Sequence, residues 1–238
     1  NIKLHFLENN IHFIKDIKKI FPKSKIHSDI STLPKEFSIY IANEFFDALP
    51  ITQIKKTDDK IKKLVIKNDV NGNFYEDYEE YNDHKDLILN KSNFISGSIF
   101  EFSKETETIT NLIAKNISSN GGHLLFADYG YTELTHKSTL SSIKDNKITS
   151  FLDNIGEQDL TAHVNFMQIN DIMNNHGIKN LKILKQSKFL KEIGIELRAS
   201  KLIENNPDKE EEITIGLNRL IDHDQMGSLF KVIYSDYK

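Results

Sequence analysis

The chain has 238 residues, 28% charged side chains and a formal net charge of −4, which allows a sizeable core and gives no reason to expect a nucleic-acid partner. It contains no cysteine, which excludes disulfides, a thiolate zinc site and a thiol nucleophile. No apolar run approaches about 18 residues, so we expect no membrane span and no signal-peptide core, and a soluble intracellular protein is the default.

The first elements are predicted in the order β-α-β, with an acid after each strand. A strand over Ile2–Glu8 ends on Glu8, and the apolar period of Ile11–Phe21 predicts an amphipathic helix. Lys25–His27 is a short predicted strand, and Asp29 follows it closely. In a nucleotide-binding sheet, one such acid can accept hydrogen bonds from ribose hydroxyls, and the next can accept one from an adenine amino group. Each acid, taken alone, is also an ordinary turn or N-cap residue.

The next stretch changes character abruptly in its middle. The apolar run Phe37–Ala42 predicts a strand buried on both faces of a parallel sheet. Asn43 and Glu44 follow at its carboxyl end, and if Glu44–Leu49 form a short helix, Glu44 and Asp47 share a face. Open α/β sheets bind ligands at the carboxyl ends of their strands, so this pair of carboxylates is a candidate site. The other interpretation is that Asn43 caps a short helix and Glu44 is a favourable first-turn acid.

The middle of the chain predicts an inserted region and a second strand that ends on an acid. Ile51–Tyr75 has the pattern of a strand pair, and the acidic, aromatic segment Glu76–Asp86 has no usable period. We therefore expect an inserted or connecting region over residues 51–100. A helix is predicted from Lys104 to Ser118, and the buried-type strand His123–Asp128 then leads into the turn Tyr129–Tyr131.

The polar segment Thr132–Asn154 is predicted to be a long loop, of the kind that forms lids or binding loops. Asn165 is a plausible N-cap for a helix that runs to Asn175 and is closed by Gly177. The remaining predicted elements are, in order, a strand at Leu181–Leu184, helices at Ser187–Ile193 (capped by Ser187), Ile195–Glu204 and Asp208–Ile221, and a last strand at Leu229–Tyr234.

Common nucleotide-binding and hydrolase motifs are absent from the sequence. No two of the ten glycines are separated by a single residue, and the chain has neither a G-x-G-x-x-G fingerprint nor a P-loop. It has no G-x-S-x-G elbow and no H-E-x-x-H zinc motif, and its histidines are scattered singly, so we predict no metal site. What remains is an α/β sheet with acids at its carboxyl edge, which fits a transferase or a binding protein better than a hydrolase.

Five blocks of sequence carry a family likeness. They are Ala42–Pro50, Phe126–Tyr131, Asp159–Phe166, Gln186–Leu190 with Gly194 and Ile195, and Met226–Val232. In this order they resemble the MidA-like family of S-adenosylmethionine-dependent methyltransferases, which is related to the mitochondrial arginine methyltransferase that assists the assembly of respiratory complex I. The resemblance implies one domain over residues 1–238 and S-adenosylmethionine as the cofactor. It also implies a Rossmann-like α/β methyltransferase sheet with helices on both faces, ending in an antiparallel strand.

The resemblance also assigns cofactor-side roles to single residues. Glu8 matches the family's ribose-binding acid, and Asp29, followed by Ile30, matches its adenine side. Asn43 and Glu44 match the position between cofactor and substrate. The family's first strand and glycine-rich loop are expected before the start of this chain.

On the substrate side the resemblance implies Asp128, Tyr129 and His163. His163 either lines the substrate or only braces its own loop. Two positions depart from the family pattern, because Asn146 stands where a histidine is expected and Asn165 stands where an aspartate is expected.

The resemblance, taken with these residues, predicts arginine N-methylation of a protein. The guanidinium of arginine stays protonated, so its methylation needs carboxylates that fork onto it and fix one nitrogen in line with the methyl group. We predict this role for Glu44 first and Asp47 second, with Asn43 beside them. The expected partner is a protein substrate, such as a subunit of respiratory complex I, and a homodimer is an open option. The expected location is the cytoplasm of a bacterium or the mitochondrial matrix of a eukaryote.

Two other functions stay open. The first is a non-catalytic assembly factor, or a degenerate relative, that binds a protein partner without methyl transfer; the missing glycine-rich loop favours it. The second is a small-molecule methyltransferase, which would be favoured if the Thr132–Asn154 loop closes over a small pocket.

Overall fold

The computed structural model describes residues 2–58, 60–82, 95–133, 135–144, 147–153 and 155–235. Its helices are α1 (Ile11–Ile20), α2 (Lys104–Asn120), α3 (Phe166–Asn175), α4 (Gln186–Glu192), α5 (Ile195–Asn205) and α6 (Glu210–Ile221). Its strands are β1 (His5–Leu7), β2 (Lys25–His27), β3 (Ser38–Asn43), β4 (Thr52–Lys56), β5 (Ile61–Asn68), β6 (Phe74–Glu80), β7 (Ile99–Phe102), β8 (Gly122–Tyr131), β9 (Ser141–Lys144), β10 (Lys147–Thr149), β11 (Asp159–Thr161), β12 (Val164–Asn165), β13 (Leu181–Lys185) and β14 (Phe230–Ser235).

A five-stranded sheet built around β8 forms the body of the protein. β3 and β12 run parallel to β8, whereas β14 pairs antiparallel with β8 and β13 pairs antiparallel with β14. The register sets Asn43 opposite Ala127 and Val164 opposite Gly130. The carboxyl end of β3 therefore lies beside the middle of β8, and the segment that follows β11 lies beside the end of β8.

The core lies between this sheet and the helices α2 and α3. Ile113 of α2 and Ile169 of α3 belong to one buried cluster with Phe126 of β8, and burying a side chain of this size stabilises a fold by roughly 1.5–3 kcal/mol. The Asn165 side chain accepts a hydrogen bond from the Gln168 N–H at 3.2 Å and caps α3. The predicted Asn165 cap and the helix that runs to Asn175 are confirmed.

β1 and β2 form a separate parallel pair, connected by α1. The N–H of Glu8 donates to the carbonyl of His27 at 3.0 Å, which aligns the carboxyl ends of the two strands. Nζ of Lys3 lies 3.4 Å from Oε1 of Glu36, just before β3, so the amino ends of β1 and β3 are neighbours. Ile30, which follows β2, packs against the main core. Among the described strands, this pair is not hydrogen-bonded to β3.

The prediction that the third strand is buried on both faces is wrong. Ile39 and Ile41 of β3 are 65% and 73% exposed, while Tyr40 and Ala42 pack against the core. In the described part of the chain β3 pairs with β8 alone, and the core covers only one of its faces. β3 therefore has the alternating burial of a half-covered strand instead of the double burial of a central parallel one.

The acidic segment predicted to lack regular structure contains most of a strand. β6 pairs antiparallel with β5 at the edge of the four-stranded sheet β6-β5-β4-β7, which occupies the region predicted as an insertion. Nζ of Lys67 lies 2.6 Å from Asp77 and 3.1 Å from Glu79 across the two strands. Cross-strand charge pairs stabilise this edge where apolar alternation is missing, which is why the hydrophobic pattern gave no signal. The predicted segment continues into residues 83–86, which lie outside the described residues.

The polar segment predicted to be a long loop contains β9 and β10. These two strands form a three-stranded antiparallel sheet with β11, in the order β10-β9-β11. The buried hydroxyl of Ser142 lies 2.9 Å from the hydroxyl of Thr149 across that sheet. The loop prediction is therefore wrong for these strands, because backbone pairing and hydroxyl contacts hold them without an apolar period. Asn146, where the family pattern expects a histidine, lies outside the described residues.

The C-terminal helices α4, α5 and α6 contact one another, and Phe189 of α4 packs on Tyr234 of β14 with ring centroids 5.3 Å apart. α4 begins at Gln186, so the predicted cap at Ser187 is wrong. The Gln186 side chain donates to the Leu220 carbonyl at 3.0 Å, and this long-range contact fixes the helix start. No helix in the described residues is long and apolar enough to cross a membrane.

Thr110 gives a stability prediction within the core. Its side chain in α2 is fully buried, and its hydroxyl has no hydrogen-bond partner among the described residues. Thr110→Val removes this unsatisfied group and keeps the shape, so we expect the free energy of unfolding to rise by about 1 kcal/mol. Urea unfolding of both proteins measures the difference; a loss of stability would show that the hydroxyl has a partner in solution.

Candidate functional site

The turn after β3 brings the sequence-predicted carboxylates to the carboxyl edge of the sheet. The N–H of Glu44 donates to the carbonyl of Ala127 in β8 at 3.0 Å, and the chain then leaves the sheet. Glu44 has a left-handed backbone with φ of +46°. A non-glycine residue in that region carries a strain of order 1 kcal/mol and is often found at functional sites. Within the described part of the chain, the exposed Glu44 carboxylate has no hydrogen-bond or ion-pair partner.

The short helix predicted over Glu44–Leu49 is absent, and this prediction is wrong. The backbone N–H groups of Phe45, Phe46 and Asp47 instead donate to Oδ2 of Asp128, at 3.1, 3.0 and 3.3 Å. These N–H groups converge on a side chain from another strand, so the segment folds as a turn around that carboxylate. The expectation that Glu44 and Asp47 share a helix face therefore has no helix to support it.

Asp128 lies beneath this turn with 0% of its surface exposed. Oδ1 accepts a further hydrogen bond, at 2.9 Å, from the N–H of Tyr129. Burial, together with the nearby Asp47 carboxylate, raises the pKa of Asp128 to about 7, although the backbone hydrogen bonds act in the opposite direction. The sequence assigned this residue to the substrate side, whereas the structure places its side chain inside the protein.

Asp47 connects the turn to the segment after β11. Its Oδ2 accepts hydrogen bonds from the Tyr129 hydroxyl and, at 3.2 Å, from the Thr161 hydroxyl. Its carbonyl accepts from the N–H of Ala162 at 3.3 Å. Burial and the hydrogen bond to Asp47 raise the pKa of Tyr129, so this hydroxyl stays protonated and continues to donate. Thr161 is a contact that the sequence analysis missed, although it lies inside one of the recognised blocks.

His163 completes this group of side chains. Its ring packs edge-on against Tyr129 with centroids 5.7 Å apart, and burial lowers the pKa of the imidazole, which favours the neutral form. The backbone N–H of His163 donates to the Thr139 hydroxyl at 2.9 Å, and the backbone N–H of Thr139 donates to the buried Glu101 carboxylate at 2.8 Å. The structure therefore brings Asp47, Tyr129 and His163 together beside the Glu44 turn.

The other two predicted acids lie after β1 and β2. Oε1 of Glu8 accepts from the N–H groups of Asn9 and Asn10 at 2.8 and 2.7 Å. Oδ1 of Asp29 accepts from the N–H of Ser31 at 2.8 Å, and this backbone hydrogen bond holds the pKa of Asp29 below its usual value. Glu8 thus has the turn role that the sequence left open, while Asn10 caps α1, and Asp29 has the N-cap role at the short 3-10 helix Ile30–Thr32.

Oε2 of Glu8 accepts no hydrogen bond within the described residues, whereas the Asp29 carboxylate also accepts a hydrogen bond from the Ser31 side chain. Two solvent-accessible carboxylates at the carboxyl ends of adjacent parallel strands fit the ribose hydroxyls and amino group of a nucleoside. Among the described residues, no group of three or more His, Cys, Asp or Glu side chains is placed to hold a metal ion.

Comparison with known proteins identifies the family. The model of an S-adenosyl-L-methionine-dependent methyltransferase family matches residues 3–184. The chain belongs to this family. The predicted family and its cofactor, S-adenosylmethionine, are thereby confirmed.

Curated relatives agree with this membership. The chain is 32% identical over 224 residues to a Xenopus tropicalis protein named "Protein arginine methyltransferase NDUFAF7, mitochondrial", covering 86% of this chain and 48% of that protein. It is 26% identical over 235 residues to the human protein of the same name, covering 92% of this chain and 49% of that protein. The chain thus spans about half the length of the curated relatives it matches.

Solved structures confirm the fold. A Burkholderia thailandensis protein crystallised with S-adenosyl-homocysteine superimposes with a TM-score of 0.81 at 20% identity, covering 98% of this chain and 63% of that one. A second crystal structure from the same organism gives a TM-score of 0.80, also at 20% identity, and covers 93% of this chain and 62% of that one. The predicted Rossmann-like methyltransferase fold is therefore confirmed.

Proposed function

We propose that the chain is the part of a protein arginine N-methyltransferase that carries the substrate-binding carboxylate and the nucleoside-binding acids. The observation that carries the proposal is the Glu44 carboxylate, which is exposed on a left-handed turn at the carboxyl end of β3 and has no partner in the described part of the chain. The names of the relatives from Xenopus tropicalis and human support arginine as the modified residue.

The chemistry of arginine explains why this carboxylate is needed. A guanidinium is planar, stays protonated in proteins and matches a carboxylate with two parallel N–H···O bonds. Glu44 binds and orients the guanidinium in this way and offsets its charge, so that one nitrogen is held toward the cofactor. When bound, S-adenosylmethionine supplies a methyl group on a sulfonium sulfur.

The remaining predicted residues divide into two groups in this proposal. Glu8 and Asp29, with the backbone around Ile30, hold the nucleoside, and Asn43 lies between nucleoside and substrate. Asp47 has one oxygen committed to Tyr129 and Thr161, so we assign it to holding the substrate-side wall, with its other oxygen facing the guanidinium as a secondary contact.

For the partner, we propose a protein that presents an exposed arginine. A subunit of respiratory complex I is the first candidate to test, on the strength of the family resemblance and the mitochondrial names of the eukaryotic relatives. With this partner, the proposed reaction would take place in the mitochondria of a eukaryotic cell or in the cytoplasm of a bacterium.

A labelling experiment tests the reaction. The protein is incubated with S-adenosylmethionine carrying an isotopically labelled methyl group and with a proteome from the source cell, and the labelled proteins are hydrolysed to amino acids. Label in Nω-methylarginine is the expected result. Label only in small molecules would overturn the proposal in favour of a small-molecule methyltransferase. No label, in a protein that folds and binds S-adenosylhomocysteine, would favour a non-catalytic partner-binding role.

A further inference from the structure

A buried carboxylate without a cationic partner lies directly under the proposed catalytic turn. Asp128 is fully buried, and the hydrogen bonds it accepts come from four backbone N–H groups, three of them on the turn. In the described residues no lysine, arginine or histidine forms an ion pair with it. A buried charge with this environment is costly to keep unless its hydrogen bonds have a structural role.

The three N–H groups from the turn all reach the same oxygen. Phe45, Phe46 and Asp47 donate to Oδ2 at 3.1, 3.0 and 3.3 Å, which resembles the way a helix N-terminus surrounds an anion. Such convergence is possible only if the chain before Phe45 turns sharply. That sharp turn is the left-handed backbone of Glu44, with φ of +46°.

We infer that Asp128 is a positioning residue, which acts through the backbone of residues 45–47 to hold Glu44 in its left-handed conformation and so to aim the Glu44 carboxylate. This inference rests on the proposed function for the role of Glu44. The three hydrogen bonds from the N–H groups of residues 45–47 to Asp128, here called the clamp, are a property of the fold. Without the clamp, the backbone of Glu44 returns to negative φ, as L-residues prefer, and its side chain leaves the sheet in another direction.

The charge on Asp128 links this clamp to pH. The groups that face it are Asp47 on the turn, Tyr129 on β8, and Lys231, which is paired with Asp128 in the β14 register; the Glu44 carboxylate acts on Tyr129. Lys231 donates to the carbonyls of Gly130, Ser228 and Leu229 at 2.9, 2.7 and 3.0 Å and does not neutralise the carboxylate. A proton on either oxygen of Asp128 replaces an acceptor by a donor that faces a backbone N–H.

The positioning role and the stability contribution of Asp128 are expected to depend on pH in opposite senses. The pKa of Asp128 is raised to about 7 in the folded protein, so the stability that this group contributes is greatest at low pH and is lost as the pH rises through about 7. The clamp changes in the opposite sense, because it needs the charged form. We therefore expect methyl transfer to fall as the pH drops below about 7 while the contribution of Asp128 to stability increases.

Hydrogen exchange tests the clamp without requiring activity. In Asp128→Ala, and more weakly in Asp128→Asn, the amides of Phe45, Phe46 and Asp47 should exchange at least about tenfold faster than in the wild type. Thr110→Val, which alters an equally buried residue away from the turn, should leave these amides unchanged. Unchanged protection in Asp128→Ala would overturn the inference.

Steady-state kinetics tests whether Asp128 orients the Glu44 carboxylate. In Asp128→Asn we expect kcat to fall at least about tenfold, with the KM for S-adenosylmethionine within about threefold of wild type and with no acid limb near pH 7. Lost amide protection with unchanged kcat would also overturn the inference. A wild-type protein without arginine methylation would overturn the proposed function instead, and the exchange experiment would still decide whether the clamp exists.

Discussion

Glu44→Gln is expected to lower the kcat of methyl transfer by about 100-fold or more, because the charge that pairs with the guanidinium is lost while the size of the side chain is kept. The free energy of unfolding should change by less than about 0.5 kcal/mol, since the carboxylate is exposed and has no partner in the described part of the chain. Steady-state kinetics and urea unfolding measure both quantities.

Glu36→Gln is the matched control for this variant. Glu36 is an exposed acid just before the opposite end of the same strand, where its carboxylate pairs with Lys3 at 3.4 Å. Exposed ion pairs contribute little, so we expect wild-type kinetics and a stability within about 0.5 kcal/mol of wild type. A kcat that falls equally in both variants would point to a general effect of charge, and an unchanged kcat in Glu44→Gln would remove Glu44 from the mechanism.

Gly130→Ala is expected to cause the largest loss of stability, about 3 kcal/mol or more. An added Cβ at this position in β8 would lie 2.2 Å from the carbonyl oxygen of Val164 and within 3.0 Å of the Phe166 ring, which is fully buried. β12 must move away to make room. Because His163 immediately precedes β12, methyl transfer should fall as well. Thermal unfolding followed by circular dichroism measures the stability, with an expected drop in Tm of roughly 10 °C.

Gly216→Ala is expected to raise the stability of the protein, in contrast to Gly130→Ala. Gly216 lies within α6, and an added Cβ there would meet nothing within 4 Å. Alanine is the better helix former, so we expect a gain of about 0.5–1 kcal/mol. A Gly130→Ala protein as stable as wild type would show that β12 does not pack closely on β8 in solution.

The elements with local signals could be predicted from the sequence. α3 is an example, because its cap at Asn165 and its apolar period lie within the helix itself. β3 was located correctly, but the exposure of Ile39 and Ile41 could not be predicted, since it depends on which strands pair with β3. The strands β6, β9 and β10 were missed because polar contacts and backbone pairing define them.

The candidate site shows the same division between local and distant causes. The sequence located Glu44, Asp47, Tyr129 and His163 from recognisable blocks, and the structure brings the last three into contact. The turn after Glu44 could not be predicted from the sequence, because the acceptor for its N–H groups is Asp128, which lies more than 80 residues away. The local sequence favours a helix after Glu44, but hydrogen bonds to the distant Asp128 carboxylate stabilise a turn instead.

Calorimetry of S-adenosylhomocysteine binding tests the central claim most directly, namely that acids at the carboxyl ends of the parallel strands hold the nucleoside. The titration is made with this chain, with a form that includes any residues encoded upstream of Asn1, and with Glu8→Gln in whichever form binds. We predict binding that Glu8→Gln weakens at least about tenfold, the equivalent of one lost charge-assisted hydrogen bond. Absence of binding in both forms, or equal affinity with and without the Glu8 carboxylate, would contradict the account.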